Sequence, residues 1–226
     1  LELRNSDDSL MLFACSSLPD RIRWNLYNSL LACFDGNEVL AVENALQSPF
    51  QCLHFSLWNW YITNGDDAPT HIHLHDMARL DVSRTNYSQC LPYPSRDTLQ
   101  HQQLYRNIQS SFEELFQWIE QVVTQDLPGG HVSPVFPFLS LVVNLNVSTM
   151  GHRDRFDKDL CLVLPIGEFL GGALAMFEQR LVVELRNSDF MLFQSTSTTH
   201  FNLHYEGKRA SLVCHTDRGF EQWKER

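Results

Sequence analysis

The second half of the chain is built from short apolar runs separated by turn residues, and this pattern limits the possible folds more than any other feature. The runs cover residues 138–147, 159–165, 173–178, 181–186, 190–194, 200–205 and 209–216. Between them stand Gly167, Gly171-Gly172, Asn187-Ser188 and Glu206-Gly207. Many short strands at near-regular spacing predict a β-sandwich or jelly roll for this part of the chain.

The first half of the chain has helical patterns. Ser17-Leu18-Pro19-Asp20 is typical of a helix start with Ser17 as N-cap, and this helix is predicted to run to about Phe34. Apolar residues recur at steps of three and four between residues 98 and 125, which predicts the clearest helix: Leu104, Ile108, Phe112, Leu115, Ile119 and Val122. We expect this second helix to brace one sheet of the fold.

The order of these elements predicts an α+β fold, in which a double-stranded β-helix (a jelly roll, cupin-like) is braced by N-terminal helices. Residues 48–62 are rich in aromatic side chains and are predicted to be a buried strand. We expect one domain over residues 1–226. Within it, residues 1–135 would form a helical and mixed extension, and residues 136–217 the β-helix core.

Composition excludes several classes of protein. The chain has 226 residues, of which 43% are hydrophobic and 19% charged, as in an ordinary globular protein. Its net charge of −10 argues against a broadly basic nucleic-acid-binding surface, although it allows a local basic groove. Its six cysteines show no short paired spacing, so we expect reduced thiols in an intracellular protein. The sequence contains no run of about 18 apolar residues, so it predicts no membrane-spanning helix.

One hexapeptide occurs twice. Glu2-Leu3-Arg4-Asn5-Ser6-Asp7 is repeated at residues 184–189, and Met-Leu-Phe follows each copy, at 11–13 and at 191–193. Both copies are predicted to form a strand, a polar turn and a second strand. A partial duplication, two similar hairpins or an artefact of the sequence would each explain the repeat.

The segment around His152-Arg153-Asp154 carries the strongest chemical signal, together with His200 further along the chain. Two imidazoles and one carboxylate can occupy one face of a non-haem Fe(II) and leave the opposite positions open for a co-substrate and O₂. Side chains at positions i and i+2 of a strand, such as those of His152 and Asp154, point to the same side. We therefore predict that His152, Asp154 and His200 bind metal and form the catalytic centre. The alternative is that they are unrelated polar residues.

A second signal follows His200. Arg209 and Ser211 lie two positions apart in the last apolar run, so that in a strand they share one face. An arginine with a hydroxyl beside it suits a bidentate grip on the distal carboxylate of a co-substrate.

A rival metal site lies earlier in the chain. His71, His73 and His75 alternate, so that in a strand all three would share one face and could bind a metal. A polar strand face or a loop explains the same pattern without a metal.

These residues resemble those of the Fe(II)/2-oxoglutarate-dependent dioxygenase superfamily. The resemblance is strongest to the group that contains the TET methylcytosine oxygenases and the base-J thymidine hydroxylases, especially its compact fungal members. It covers roughly residues 136–217. The motifs are Asn144-Leu-Asn146-x-x-Thr149-x-x-His152-Arg-Asp154-x-x-Asp157, Cys161-Leu-Val-Leu-Pro-Ile-Gly167, Gly171-Gly172-Ala-Leu174, Asp189-x-x-x-Phe193, His200 and Gly207-Lys-Arg209-Ala-Ser211-Leu-Val.

The resemblance implies a role for each of these positions. His152, Asp154 and His200 would bind Fe(II), while Arg209, supported by Ser211, would pair with the far carboxylate of 2-oxoglutarate. Asn144 or Asn146 would donate to co-substrate or substrate, unless they cap a turn or a strand ladder. In the TET-like group, positions six and eight after the arginine help to hold a flipped base. Here they are His215 and Asp217, which depart from the aromatic-and-histidine pattern expected there.

The resemblance also implies an activity and its partners. The cofactors would be Fe(II), 2-oxoglutarate and O₂, and the reaction hydroxylation of a methyl group on a DNA base, 5-methylcytosine or N6-methyladenine, with release of succinate and CO₂. The alternative is a hydroxylase of a small molecule or a protein side chain with the same metal site. A catalytically silent binding module on this fold is a third hypothesis.

Basic residues near the predicted active site are candidate contacts for methylated DNA: Arg153, Arg155, Lys158, Lys208 and Arg218. They could equally be ordinary solvated charges. We expect an intracellular, nuclear monomer.

Overall fold

The computed structural model describes residues 1–34, 51–56, 95–123, 135 and 137–218. Within these residues the helices are α1 (Asp20–Arg23), α2 (Leu26–Cys33), α3 (Arg96–Gln100), α4 (Gln102–Ser111) and α5 (Glu113–Val123). The strands are β1 (Glu2–Arg4), β2 (Leu10–Cys15), β3 (Gln51–Ser56), β4 (Ser140–Leu145), β5 (Cys161–Gly171), β6 (Leu174–Met176), β7 (Leu181–Val183), β8 (Phe190–Phe193), β9 (His200–Asn202) and β10 (Tyr205–His215). No described helix is long and apolar enough to cross a membrane.

The strands form two antiparallel sheets in a jelly-roll-like arrangement. The larger sheet has seven strands in the order β1-β2-β8-β5-β10-β4-β3, and the smaller has three in the order β7-β6-β9. Three strands of the larger sheet, β1 to β3, come from the first 56 residues of the chain. The sheet therefore extends well beyond the predicted core of residues 136–217.

Strand alternation separates the two faces of the larger sheet. On β4, Leu141 and Val143 belong to a large core cluster that also contains buried residues of α2, α4 and α5, such as Leu30 and Ile108. The helices thus brace this face of the sheet, as predicted. A second, smaller cluster includes Leu12, Met191 and Leu174 and lies between the two sheets.

The helices are shorter than predicted. The helix expected from Ser17 to Phe34 is broken into α1 and α2. Asn25, the N-cap of α2, has a positive φ of 70°, which a continuous helix does not allow. The N-cap of α1 is Pro19 and has no side-chain cap. The long helix expected over residues 98–125 is three helices, with breaks at His101 and Phe112. Apolar periodicity indicates which face is buried, and it does not register a local change of backbone direction.

The two copies of the repeated hexapeptide adopt different structures. The first forms a hairpin, in which β1 pairs with β2. The second follows β7 of the smaller sheet and leads into β8 of the larger one, so the prediction of two similar hairpins is wrong. The Met-Leu-Phe segments that follow the copies lie in neighbouring strands, where Leu12 pairs with Phe193 and Phe13 with Leu192.

Two glycines predicted to mark turns lie inside strands. Gly167 is in β5 with φ 136°, and Gly207 is in β10 with φ 104°. A Cβ on Gly167 would lie 2.1 Å from the carbonyl oxygen of Lys208, and a Cβ on Gly207 would lie 2.2 Å from that of Glu168. The close approach of β5 and β10 therefore requires glycine at both positions, and it lets both strands continue past the predicted turns.

Candidate active site

The two histidines of the predicted triad lie opposite each other in one β-bridge. The backbone N–H of His152 donates to the carbonyl of His200 over 3.1 Å, and that of His200 donates to the carbonyl of His152 over 3.0 Å. Asp154 follows in the same loop, where its N–H donates to the carbonyl of Ser195 over 3.2 Å. Backbone pairing thus brings together residues that are far apart in the sequence.

The three side chains form a group that can hold a metal ion. One ligand atom from each of His152, Asp154 and His200 lies within 4.8 Å of the other two. The Asp154 carboxylate oxygens lie 3.8 Å from Nε2 of His152 and 3.5 Å from Nε2 of His200. His200 is buried at 7% side-chain exposure, while His152 is 41% and Asp154 36% exposed. The group therefore has one buried side and one open side.

Backbone carbonyls fix the tautomer of both imidazoles. Nδ1 of His152 lies 2.8 Å from the carbonyl oxygen of Met150, and Nδ1 of His200 lies 3.1 Å from that of Thr198. A carbonyl oxygen can only accept, so the proton is on Nδ1 in each ring. Nε2 then carries the lone pair, which is the arrangement a histidine ligand needs.

Burial sets the protonation of the group. It lowers the pKa of His200, and this outweighs the opposing effects of the Thr198 carbonyl and the Asp154 carboxylate. It also raises the pKa of Asp154, reinforced by the nearby charge of Asp157 and opposed by the histidines. A neutral His200 and a carboxylate that is costly to leave unpaired both favour the binding of a divalent cation.

A pocket of about 390 Å³ opens beside the triad, between the two sheets. Its walls include apolar residues, namely Val142, Val163, Leu174 and Val213, and polar ones, namely Asn144, Asn202, Ser211, His215 and Asp217. Cys52 and His54 of β3 complete one wall. The pocket thus combines an apolar passage with several hydrogen-bonding groups, as is typical of small-ligand sites.

Arg209 lies outside the residues that line the pocket and is buried at 3% exposure on β10, on the same face as Ser211, which does line it. Its guanidinium carbon lies 5.4 Å from the ring centre of Phe169 and 5.5 Å from that of Tyr205. Among the described residues no carboxylate pairs with it, and its Nε has no hydrogen-bond partner. A buried cation without an acid partner favours an anionic ligand, because its burial is otherwise costly.

The two candidate asparagines have different positions. Asn144 lines the pocket, and its Nδ2 lies 3.4 Å from Oγ of Ser211. Asn146 lies outside the pocket lining, and its side-chain oxygen accepts from the backbone N–H of Arg209 over 3.2 Å. Asn146 therefore caps the β4–β10 ladder beside Arg209, which is one of the two alternatives that the sequence left open.

A polar network forms one end of the pocket. Nδ1 of His215 lies 3.0 Å from a carboxylate oxygen of Asp157, whose other oxygen accepts from Oγ of Ser195 over 2.7 Å. Asp157 also forms a β-bridge with Asp217. Burial acts to lower the pKa of His215, but the contact with Asp157 outweighs it, so that this pKa is raised. The predicted substrate residues His215 and Asp217 thus both line the pocket.

The candidate basic contacts are not equivalent. Arg153 is ion-paired with Glu178, and Lys158 lies 3.5 Å from Asp159. Arg155 is exposed at the pocket, and among the described residues no carboxylate pairs with it. The two remaining candidate contacts are Arg218 and Lys208. Arg218 packs its guanidinium 5.3 Å from the ring centre of Phe156, while Lys208 lies exposed on β10, opposite Glu168 of β5. The positive charge at the pocket mouth is therefore small.

Sequence reasoning assigned no role to several polar pocket residues, among them Cys52, His54 and Asp157. Asp157 was recognised only as part of the motif that starts at Asn144. Cys52 and His54 share one face of β3, but no local pattern indicates that β3 borders the triad. The rival cluster of His71, His73 and His75 lies outside the described residues, as does Cys90. The five cysteines among the described residues are free thiols, as predicted.

No family model matches the chain, and no curated protein matches it in sequence. Its fold is similar to the solved structure of NgTET1 in complex with 5mC DNA, with a TM-score of 0.61 and 13% identity over 95% of this chain and 75% of that one. Similarity to OsALKBH1 is weaker, with a TM-score of 0.42 and 10% identity over 90% and 97% of the two chains. A viral collagen prolyl hydroxylase from Paramecium Bursaria Chlorella virus-1 has a TM-score of 0.37 and 9% identity over 48% and 74%.

The chain therefore shares its fold with NgTET1. The residues present fit the two groups that the sequence resemblance implies, Fe(II) and 2-oxoglutarate. The triad offers two imidazole nitrogens and a carboxylate to Fe(II). Arg209, which is buried and pairs with no carboxylate among the described residues, offers a cation to the distal carboxylate of 2-oxoglutarate.

Proposed function

We propose that this protein is an Fe(II)- and 2-oxoglutarate-dependent dioxygenase that hydroxylates a methyl group on a DNA nucleobase, 5-methylcytosine or N6-methyladenine, and releases succinate and CO₂. The observation that carries the proposal is the His152–Asp154–His200 group, whose ligand atoms converge within 4.8 Å beside a pocket. Within the proposal, residues 1–226 form one oxygenase domain with a double-stranded β-helix, of the TET and base-J type found in fungi.

The residues divide the work of the reaction. When bound, Fe(II) together with 2-oxoglutarate and O₂ supplies the oxidising chemistry that places a hydroxyl on an unactivated C–H bond. His152, Asp154 and His200 hold the metal from one side. Arg209 orients the co-substrate by binding the distal carboxylate of 2-oxoglutarate. Ser211 supports this contact, and Asn144, which is hydrogen-bonded to Ser211, donates to the co-substrate. The apolar residues between the sheets exclude water from the reacting centre.

Features of the pocket support a nucleobase as substrate. A flipped base needs an apolar slot for its faces and hydrogen-bonding groups for its polar edge. Val163 and Val213 offer apolar surface, while His215, Asp157 and Asp217 form a polar end. At the mouth, Phe156 is 41% exposed with Arg218 packed on it, and Arg155 is available to a phosphate.

A second candidate is a hydroxylase of a small molecule or of a protein side chain. The net charge of −10 favours it, and so do the ion pairs that engage Arg153 and Lys158. Both candidates use the same metal site, so they differ only in what enters the pocket.

The test is a mass-spectrometric assay of succinate release over methylated and unmethylated oligonucleotides, free nucleosides, small acids and peptides. We expect succinate and an oxidised base with methylated DNA only. His152→Ala and Asp154→Ala should abolish both products, whereas His204→Ala, which removes an exposed imidazole from outside the site, should retain them. Turnover on small molecules or peptides alone would favour the second candidate.

An absence of turnover despite bound Fe(II) would indicate the third hypothesis, a silent binding module. Turnover that survives in His152→Ala would contradict the assignment of the metal site. A DNA substrate further implies a nuclear location, and we propose that the protein acts there as a monomer.

A further inference from the structure

We propose that Glu178 is a positioning residue for the metal site, because its carboxylate ties together the two segments that carry His152 and His200. This inference rests on the proposed function, since it takes the triad to be a metal site. Glu178 lies in the turn between β6 and β7, and no motif of the sequence includes it.

The carboxylate of Glu178 binds the residue next to each histidine. One oxygen accepts from Arg153 over 2.5 Å and from the hydroxyl of Thr199 over 2.6 Å. The other accepts from the backbone N–H of Thr199 over 2.6 Å. Nε of Arg153 also donates to the Thr199 hydroxyl over 2.9 Å. Arg153, Thr199 and Glu178 thus form a closed ring of contacts, referred to below as the Glu178 clamp.

The same turn makes two further contacts with the segment before His200. The N–H of Phe177 donates to the carbonyl of Thr199 over 2.9 Å, and the side chain of Gln179 donates to the hydroxyl of Thr198 over 3.0 Å. Thr198 also provides the carbonyl that holds Nδ1 of His200. The β6–β7 turn therefore fixes the backbone from which His200 projects.

The Glu178 clamp adds to the other contacts that join the two segments, in which Asp154 and Asp157 bind Ser195 and Thr149 binds Asn202. His152 and His200 share an isolated β-bridge, and β9 has only three residues. One bridge fixes the separation of two backbones but leaves them free to twist about it. The Glu178 clamp adds contacts one residue away from the bridge on both sides, and these resist the twist. A metal held by both histidines requires their Nε2 atoms to converge, so resistance to this motion favours binding.

Charge acts in the same direction. The contacts with Thr199 and Arg153 lower the pKa of Glu178 to about 2, so it is a carboxylate under all ordinary conditions. It neutralises Arg153, which stands between two residues of the triad. Without Glu178, a positive charge would remain beside the position of a divalent cation.

The experiment measures metal binding by the full chain without turnover. Anaerobic titration with Fe(II) and with Co(II) gives affinities for the wild type, Glu178→Gln and Glu178→Ala, and the visible spectrum of bound Co(II) reports the ligand geometry. We expect a loss of affinity of about 10-fold or more, in line with other residues that orient metal ligands, together with a changed Co(II) spectrum. Glu178→Asp, one methylene shorter, should not restore binding.

Glu114→Gln is the matched control, because Glu114 forms an ion pair at 3.6 Å with Arg21 on an exposed surface. Its affinity should equal that of the wild type. Since the side chain of Glu178 is 32% exposed, Glu178→Gln is expected to fold, and a thermal melt of the metal-free proteins checks this.

Wild-type affinity and spectrum in Glu178→Gln and Glu178→Ala would overturn the inference, and so would an equal loss in Glu114→Gln. A wild type that bound no metal would instead overturn the proposed function, and the inference with it.

Discussion

At the scale of single residues, Arg209 is a buried cation that pairs with no carboxylate among the described residues. Burial lowers its pKa, and Tyr205 opposes this shift, yet the guanidinium remains a cation. Phe169 and Tyr205 contact its faces, which leaves its edges for hydrogen bonds. An anion with two oxygens would satisfy those edges.

Replacing Arg209 tests this role. Arg209→Ala should raise the KM for 2-oxoglutarate about 10- to 100-fold, because a hydrogen bond to a charged group contributes about 1.5–3 kcal/mol. The affinity for Fe(II) should change far less, because Arg209 is outside the triad. Steady-state kinetics and metal titration give the two values, with the exposed Arg106→Ala as control. An unchanged KM would place the carboxylate site elsewhere.

The ion pair of His215 and Asp157 predicts a pH dependence of stability. The pKa of His215 is raised in the folded state, because the Asp157 contact outweighs burial. A raised pKa contributes stability that is fully present below the unfolded value of 6.5 and is lost as the pH rises through the folded value. Denaturant unfolding of the metal-free wild type and His215→Asn on both sides of pH 6.5 should show a stability difference that shrinks with rising pH. A difference that grows with pH would contradict the assignment.

At the scale of elements, the two longest strands hold Arg209 and Ser211 in place. β5 and β10 pair along ten positions, from Tyr205 opposite Gly171 to Cys214 opposite Leu162. Gly167 and Gly207 lie within this pairing and allow the strands to approach. They were expected to end strands, and they extend them.

A methyl group at Gly167 should damage this pairing. Gly167→Ala should cost about 3 kcal/mol or more, since backbone strain costs about 1–3 kcal/mol and overpacking adds a similar amount. Denaturant unfolding of the metal-free protein measures the loss. Gly151→Ala is the control, because its Cβ would lie 3.5 Å from the Thr199 side chain, an ordinary contact. Equal stability of the two variants would contradict the close approach of β5 and β10.

At the scale of the whole molecule, the N-terminal hairpin is part of the fold that carries the site. β2 pairs with β8, and its Leu12 is fully buried in the cluster between the sheets with Met191 and Phe193. Phe193 in turn packs edge-on against His200 at 4.8 Å. The N-terminal hairpin therefore supports His200, one of the three candidate metal ligands.

Leu12→Ala should lower the stability of the entire molecule. The expected cost is about 2–5 kcal/mol, typical of a fully buried leucine. It should appear as a shift of the single main unfolding transition, followed by circular dichroism and by tryptophan fluorescence. Leu170→Ala, at a leucine that is 79% exposed, is the control. If the hairpin frayed independently, the main transition would stay in place.

The sequence by itself predicted the metal-binding group and a jelly-roll-like fold. His152, Asp154, His200, Arg209 and Ser211 are recognisable because their chemical types and short spacings are local properties of the chain. The alternation of apolar runs predicted the strands of the second half for the same reason. Asn144, His215, Asp217 and Arg155 line the pocket, and their binding roles stay predictions.

Only the tertiary structure decided how these residues are used. Asn146 binds backbone, Arg153 is held by Glu178, and Asp157 contacts His215. Each depends on strands that pair across long stretches of sequence, and on burial, which changes the cost of a charge. Strand pairing and burial depend on residues that are distant in the sequence. No local sequence pattern could therefore have predicted these contacts.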